Sequence, residues 1–219
     1  MPAEPSSPLN GIRAVLFDLD GTLIDAVESH YRVFSRVLAA FAVRLDQRTF
    51  KRHYSPNWYQ FYKRVGIPET RWPEADQLWL RYYAEEAPAM RDGADEALAS
   101  VRASGRALGL ITAGDRSRVE RDLRRLSWES LFDVVVCAGD VAERKPHPAP
   151  LVHGLIRLEV PPAAAAYVGD TVEDVEMGKA AGVTTLAVLG GFSSREALEA
   201  MAPGGLLSSL RDLVGLLQG

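Results

Sequence analysis

The stretch VLFDLDGTLID, residues 15–25, decides how the rest of the chain is read. An unbroken apolar run ends in Asp18 and Asp20, and a Gly21-Thr22 turn follows at once. Apolar runs without alternation are what a strand covered on both faces looks like. Carboxylates two residues apart on an extended chain point to the same side. Crowded into one crevice they repel, which raises a pKa or calls for a cation. A plain Asp-Gly turn is the competing reading.

Similar runs recur along the chain: ALGLIT (107–112), VVVCA (134–138), AAYVG (165–169) and TTLAVL (184–189). Helical patterns at 94–103, 116–126, 148–158, 173–181, 194–201 and 208–217 alternate with them. Strands alternating with helices predict right-handed crossovers, hence an α/β fold with a Rossmann-like, doubly wound parallel sheet. The alternation breaks between about 25 and 88. There Val27, Tyr31, Phe34, Leu38 and Phe41 form a helical stripe, and further helices are expected near 57–65 and 74–87. Ten of the eighteen aromatic residues fall between Phe50 and Tyr83, which reads either as the core of a small helical subdomain or as a substrate box. The expected organisation is a discontinuous core, 1–24 and 89–219, with an inserted α-helical cap at 25–88.

Composition narrows the function. The chain has 219 residues and a net charge of −4, which argues against a general nucleic-acid binder. Cys137 is the sole cysteine, so no intrachain disulfide forms, in keeping with a reducing compartment. MPAEPSSPLNG at the start is polar and proline-rich, is not a secretory signal, and reads as a loose tail. No apolar run approaches the length of a membrane span. A cytoplasmic protein is expected, with no nucleic-acid or membrane partner, as monomer or homodimer.

In open α/β sheets ligands bind beyond the carboxyl ends of the strands, where Asp18 and Asp20 lie. AAYVGDTVED (165–174) repeats the arrangement with Asp170 and Asp174. Thr171 and Asp174 also fit a capping box for the following helix, which accounts for Asp174 but not for Asp170. Carboxylates at two strand ends, with oxygen donors only, fit magnesium better than zinc. Thr112, with the small residues Ala113 and Gly114 behind it, offers a hydroxyl and free backbone N–H groups to an anionic oxygen. Lys145 in ERKPHP can hold phosphate, or can be an ordinary solvated lysine.

FDLDGTL, a strand-end threonine, KPHP and VGDTVEDVEMGKAAGV together resemble, in order, the four motifs of the haloacid dehalogenase superfamily, in its phosphoglycolate-phosphatase and β-phosphoglucomutase-like subgroup. The resemblance implies a Rossmann-like core with a helical cap inserted after the first motif. It implies a magnesium-dependent phosphatase acting on a small phosphorylated metabolite through an aspartyl phosphate. By the same resemblance Asp18 is the nucleophile and Asp20 the general acid and base. Asp18, the backbone carbonyl of Asp20, and Asp170 hold the metal, with Asp174 orienting them. Thr112, Ala113 and Lys145 take the phosphoryl oxygens. Dehalogenases of the family lack an acid at the position of Asp20, so dehalogenation is not expected. The second motif departs from the commoner pattern, which places Asn directly after the hydroxyl residue; here Ala113 and Gly114 follow Thr112, so a side-chain contact is lost and the backbone must do more.

His30 falls twelve residues after Asp18, a spacing at which some relatives place a substrate-contacting histidine; it also fits a helix-face residue packed on Phe34. Arg52, Lys63 or Arg64 of the cap can meet a substrate carboxylate, or simply be solvated. DRSRVERDLRRL (115–126), with five arginines, reads as an exposed basic helix face opposite Val119, Leu123 and Leu126. GKAAG lacks the spacing of a Walker phosphate loop, and there is no Gly-x-Ser-x-Gly elbow. Two rival readings stay open: a phosphomutase, which returns the phosphoryl group to the substrate, and a non-catalytic binding protein on the same scaffold.

Overall fold

The computed structural model describes residues 8–218. Its centre is a parallel sheet of six strands in the order β3-β2-β1-β4-β5-β6. The strands are β1 (Ala14–Phe17), β2 (Ala107–Asp115), β3 (Val134–Ala138), β4 (Ala165–Gly169), β5 (Thr184–Val188) and β6 (Gly205–Leu207). Every residue of β1 is buried. The two-residue side-chain period explains why: Ala14 and Leu16 enter one apolar layer, Val15 and Phe17 the other. One layer is closed by α7 (Ala149–Leu158) and α8 (Val172–Ala181), the other by α5 (Ala94–Ala103), α6 (Arg116–Arg125) and α10 (Leu210–Gln218). The sheet is therefore doubly wound, and the expected fold class holds.

Between β1 and α5 lie α1 (Val27–Ala40), α2 (Gln47–His53), α3 (Trp58–Arg64) and α4 (Trp72–Tyr83). Pro73 sits in the first turn of α4, where its missing N–H costs nothing. That helix begins two residues earlier than expected and stops at Tyr83, short of the expected 87. The aromatic residues of this region build a core: Phe34 and Phe61 lie with centroids 4.5 Å apart, Trp58 and Trp79 4.2 Å, and Trp79 and Tyr83 stack at 4.6 Å. The chain enters and leaves the helical segment side by side. Asp25 donates to Ala89, Arg91 to Leu23, and Ile24 bridges Met90.

Three expectations need correction. Residues 1–7 of the proposed tail lie outside the described residues, but Leu9 and Ile12 are buried in the core, so the end of that segment is anchored. Both α2 and the short strand β6 were missed. The helix 115–126 is not wholly an exposed basic face, since Arg118 and Asp122 are buried with Val119 and Leu123. Among the described residues no helix is long and apolar enough to cross a membrane.

Candidate active site

In the order β3-β2-β1-β4-β5-β6 the direction of winding reverses between β1 and β4, which is where such sheets bind ligands. Asp18 follows β1 and Asp170 follows β4, and the Asp18 N–H donates to Val168 at 2.9 Å, extending the ladder by one residue. A tight loop then turns the chain back: Leu19 accepts from Leu23 (2.9 Å) and Ile24 (3.0 Å), and Gly21 takes a φ of +87°. A Cβ at Gly21 would overlap the Asp170 carboxylate and the Phe192 ring, so only glycine fits.

Asp18, Asp170 and Asp174 are buried and offer carboxylate oxygens within 4.8 Å of one another. Lys145, 2% exposed, bonds Asp18 at 2.5 Å, Asp174 at 2.7 Å and the Tyr167 hydroxyl at 2.7 Å. Tyr167, on β4, donates in turn to Asp174 at 2.9 Å. Thr171 and Asp174 form the expected capping box, and Asp174 serves the cluster as well. Asp170 stands outside the box and accepts from Thr22 (2.8 Å) and from the Phe192 N–H (2.7 Å).

One ammonium does not balance three buried carboxylates. Burial pushes Asp18 well above the usual carboxylate range, and Asp174, Asp170 and Asp20 add to it against Lys145. Burial and Asp174 raise Asp170 to about 7. Asp174 is held low: burial opposes its charge, but Lys145 and the hydrogen bonds of Lys145, Thr171 and Tyr167 outweigh it. Burial works against the Lys145 charge too, yet Asp174 and Asp18 hold that ammonium above its ordinary value. The surplus negative charge, carried by oxygen donors alone, fits a hard divalent cation.

Asp20 has other partners. Its carboxylate is gripped by both terminal nitrogens of Arg118, with Nη1 at 2.9 Å from Oδ1 and Nη2 on Oδ2. The His30 Nε2 lies 3.4 Å from Oδ1. Burial alone would raise Asp20, but the charges of Arg118 and His30 bring it below the ordinary range. His30 packs edge-on to Phe34 at 6.2 Å, as the helix-face reading expects, and also faces Asp20.

Asp18, Asp20, His30, Thr112, Ala113 and Gly114 line one narrow crevice with Tyr54, Pro56, Trp58 and Thr171. Thr112, Ala113 and Lys145 line the adjoining one. A larger crevice of about 440 Å³ opens beside them, between Lys51, Arg52, Tyr54 and Arg64 on one side and Glu173, Phe192, Ser193 and Ser194 on the other. Tyr54 stacks on Phe192 at 3.8 Å across it. Lys63 does not line it. The sequence reading had passed over Lys51, Thr22, Tyr167 and Arg118. Only Arg118 left a signal, since it and Asp122 sit one turn apart within the stripe that carries Val119 and Leu123.

Carboxylates, an ammonium and a hydroxyl gathered at the switch point of a doubly wound sheet define a hydrolytic core of the Rossmann-like class. The model of the haloacid dehalogenase-like hydrolase family matches residues 15–188, and the chain belongs to that family. It is 30% identical over 210 residues to the pyrophosphatase PpaX of Bacillus cereus (strain 03BB102), covering 94% of this chain and 96% of that one. It is 28% identical over 206 residues to the phosphoglycolate phosphatase of Synechococcus elongatus, with 93% and 96% covered. In fold it is similar to a putative phosphoglycolate phosphatase from Lactobacillus plantarum, with a TM-score of 0.85 at 22% identity over 94% of this chain and 99% of that one. The chain is a hydrolase of the phosphatase kind.

Proposed function

We propose that this protein is a magnesium-dependent phosphatase that cleaves a small metabolite carrying a second anionic group beside the phosphoryl group it loses. The observation that carries the reading is the buried convergence of Asp18, Lys145, Asp170 and Asp174 next to the Thr112 strand end. Asp18, the Asp20 carbonyl and Asp170 would hold the cation, and Asp174, whose oxygens are engaged by Thr171, Lys145 and Tyr167, would orient them. The cation supplies charge neutralisation of the phosphoryl oxygens.

An Asp18 carboxylate oxygen attacks phosphorus, and the bond to the leaving oxygen breaks. Asp20 gives that oxygen a proton. Water, losing its proton to Asp20, then attacks the aspartyl phosphate, releasing phosphate and restoring Asp18. Thr112, the backbone around Ala113, and Lys145 hold the phosphoryl oxygens in place. As gripped by Arg118, Asp20 is charged and set as the base; it serves as the acid with a proton on one oxygen and the other still held by Arg118.

Lys51, Arg52 and Arg64 give the larger crevice the charge to take the substrate's second anion. Pyrophosphate and phosphoglycolate, the substrates in the relatives' names, both carry one. The test is phosphate release from a panel of phosphometabolites with magnesium, with Asp18→Asn as the blank. Pyrophosphate, phosphoglycolate and a neutral-ended ester such as glycerol phosphate are to be compared, and β-glucose 1-phosphate is to be followed for isomerisation as well. Release from anion-bearing members that falls on Arg52→Ala, mainly through KM, is expected. Turnover retained by Asp18→Asn would refute the mechanism, and equal preference for neutral-ended esters would refute the substrate class.

A further inference from the structure

We infer that Arg118 is a positioning residue for the acid–base carboxylate of Asp20, and that Gly114 is there to let it reach. The inference rests on the phosphatase reading above and adds to it a residue of the basic helix α6.

Arg118 is 4% exposed, so its charge is not a solvated one. Its guanidinium meets the Asp20 carboxylate as a fork, each terminal nitrogen on its own oxygen. A fork fixes the plane of a carboxylate as well as its place, which a lysine does not. A buried ion pair is weak evidence of stabilisation, since an apolar pair of similar size often serves as well. The Nη1 group also reaches Asp122 at 3.4 Å, and Asp122 accepts from the Tyr83 hydroxyl at 3.2 Å. The guanidinium carbon lies 5.0 Å from the Tyr83 ring centre. Asp20 is thus tied through one arginine to helix α4 of the inserted segment.

Room for the fork comes from Gly114, two residues after the strand-end threonine. A Cβ at Gly114 would collide with the Arg118 guanidinium. With a larger side chain at 114, the arginine at 118 would have no path to Asp20. The glycine at 114 and the buried arginine four residues on form one device.

Because Arg118 acts through Asp20, its loss matters only while Asp20 is present. Arg118→Met should lower kcat by about 10–100-fold, the scale of a misplaced catalytic group, with KM changed by less than about threefold. Arg118→Lys, which keeps the charge without the fork, should recover only part of it. In an Asp20→Asn background the same substitutions should change turnover by less than about threefold. Phosphoglycolate and pyrophosphate with magnesium, each followed for long enough to read Asp20→Asn, serve all six proteins. Thermal unfolding of each identifies any variant that fails to fold; if Arg118→Met does, the comparison is made with Arg118→Lys. Equal losses in both backgrounds would show a role in folding or on the substrate and overturn the inference, as would normal turnover by Arg118→Met. A wild-type protein without turnover would instead remove the phosphatase reading, and the inference with it.

Discussion

Replacing Lys145 by Met removes an ammonium but little volume, so the cavity term is small. The lost charge is held by Asp18 at 2.5 Å and Asp174 at 2.7 Å in a site only 2% exposed at the lysine. Removing one partner of a buried ion pair costs about 3–5 kcal/mol. The figure is bounded above because an uncompensated buried carboxylate takes up a proton rather than stay charged. The cost therefore depends on pH, and its sign follows from linkage. Without Lys145 the folded-state pKa of Asp18 rises further above that of the unfolded chain, and Asp174 loses the charge that holds it low. Stability from a raised carboxylate is present at low pH and is lost as pH climbs through the folded value. The full deficit is expected near about pH 8 in metal-free buffer and a smaller one near about pH 5. For a domain of this size roughly 2–4 °C accompanies each kcal/mol, so Tm should fall by roughly 6–20 °C at the higher pH. Scanning calorimetry of the metal-free wild type and Lys145→Met at both values reads this directly. A deficit under about 1 kcal/mol at both, or one that shrinks as pH rises, would refute the account of the lysine as the cluster's counter-charge.

Three other outcomes follow from the same geometry. Asp20→Asn should retain slow turnover, down by about 10²–10⁴-fold, while Asp18→Asn retains none; steady-state phosphate release distinguishes them, and near-normal rates for either would contradict their assignment. Asp170 is raised to about 7 by burial and Asp174, so its contribution to metal-free stability is lost as pH rises through that value. Magnesium should accordingly raise Tm more at about pH 8 than at about pH 6, and an equal or reversed shift would count against the cation site. Trp79→Ala empties the centre of the helical segment's core, where Trp79 is fully buried between Trp58 and Tyr83, and should cost about 3–5 kcal/mol in urea unfolding. A loss below about 1 kcal/mol would mean that the ring's space is refilled.

The strands were legible because a parallel sheet covered on both faces leaves unbroken apolar runs, and β1 to β5 each carry one. β6 is Gly-Leu-Leu, too short for any period to declare itself. Helix α2 buries only Phe50, so it has no stripe to read. Asp18, Asp170, Thr112 and Lys145 were legible because each stands at a strand end or beside a proline, where chemistry breaks a local pattern. Arg118 was masked by its neighbours: among five arginines on one short helix, its place beside Val119 and one turn before Asp122 is the one local sign that it turns inward. That is settled by Asp20, ninety-odd residues away in sequence, and by the absent side chain at Gly114.

The place of β1 bears on how the chain is made. Ala14 pairs with Ala107 on one side and Ala165 on the other, so this central strand precedes both of its neighbours in the chain and gains the second only when β4 has been made. Until those later segments leave the ribosome, an apolar strand waits with both edges bare, a condition that invites chaperone capture or aggregation. The helices that follow it make mostly local contacts and can gather early. Slow decoding between them and β4 would lengthen that exposure, so yield on expression should be more sensitive to translation rate than stability alone would foretell.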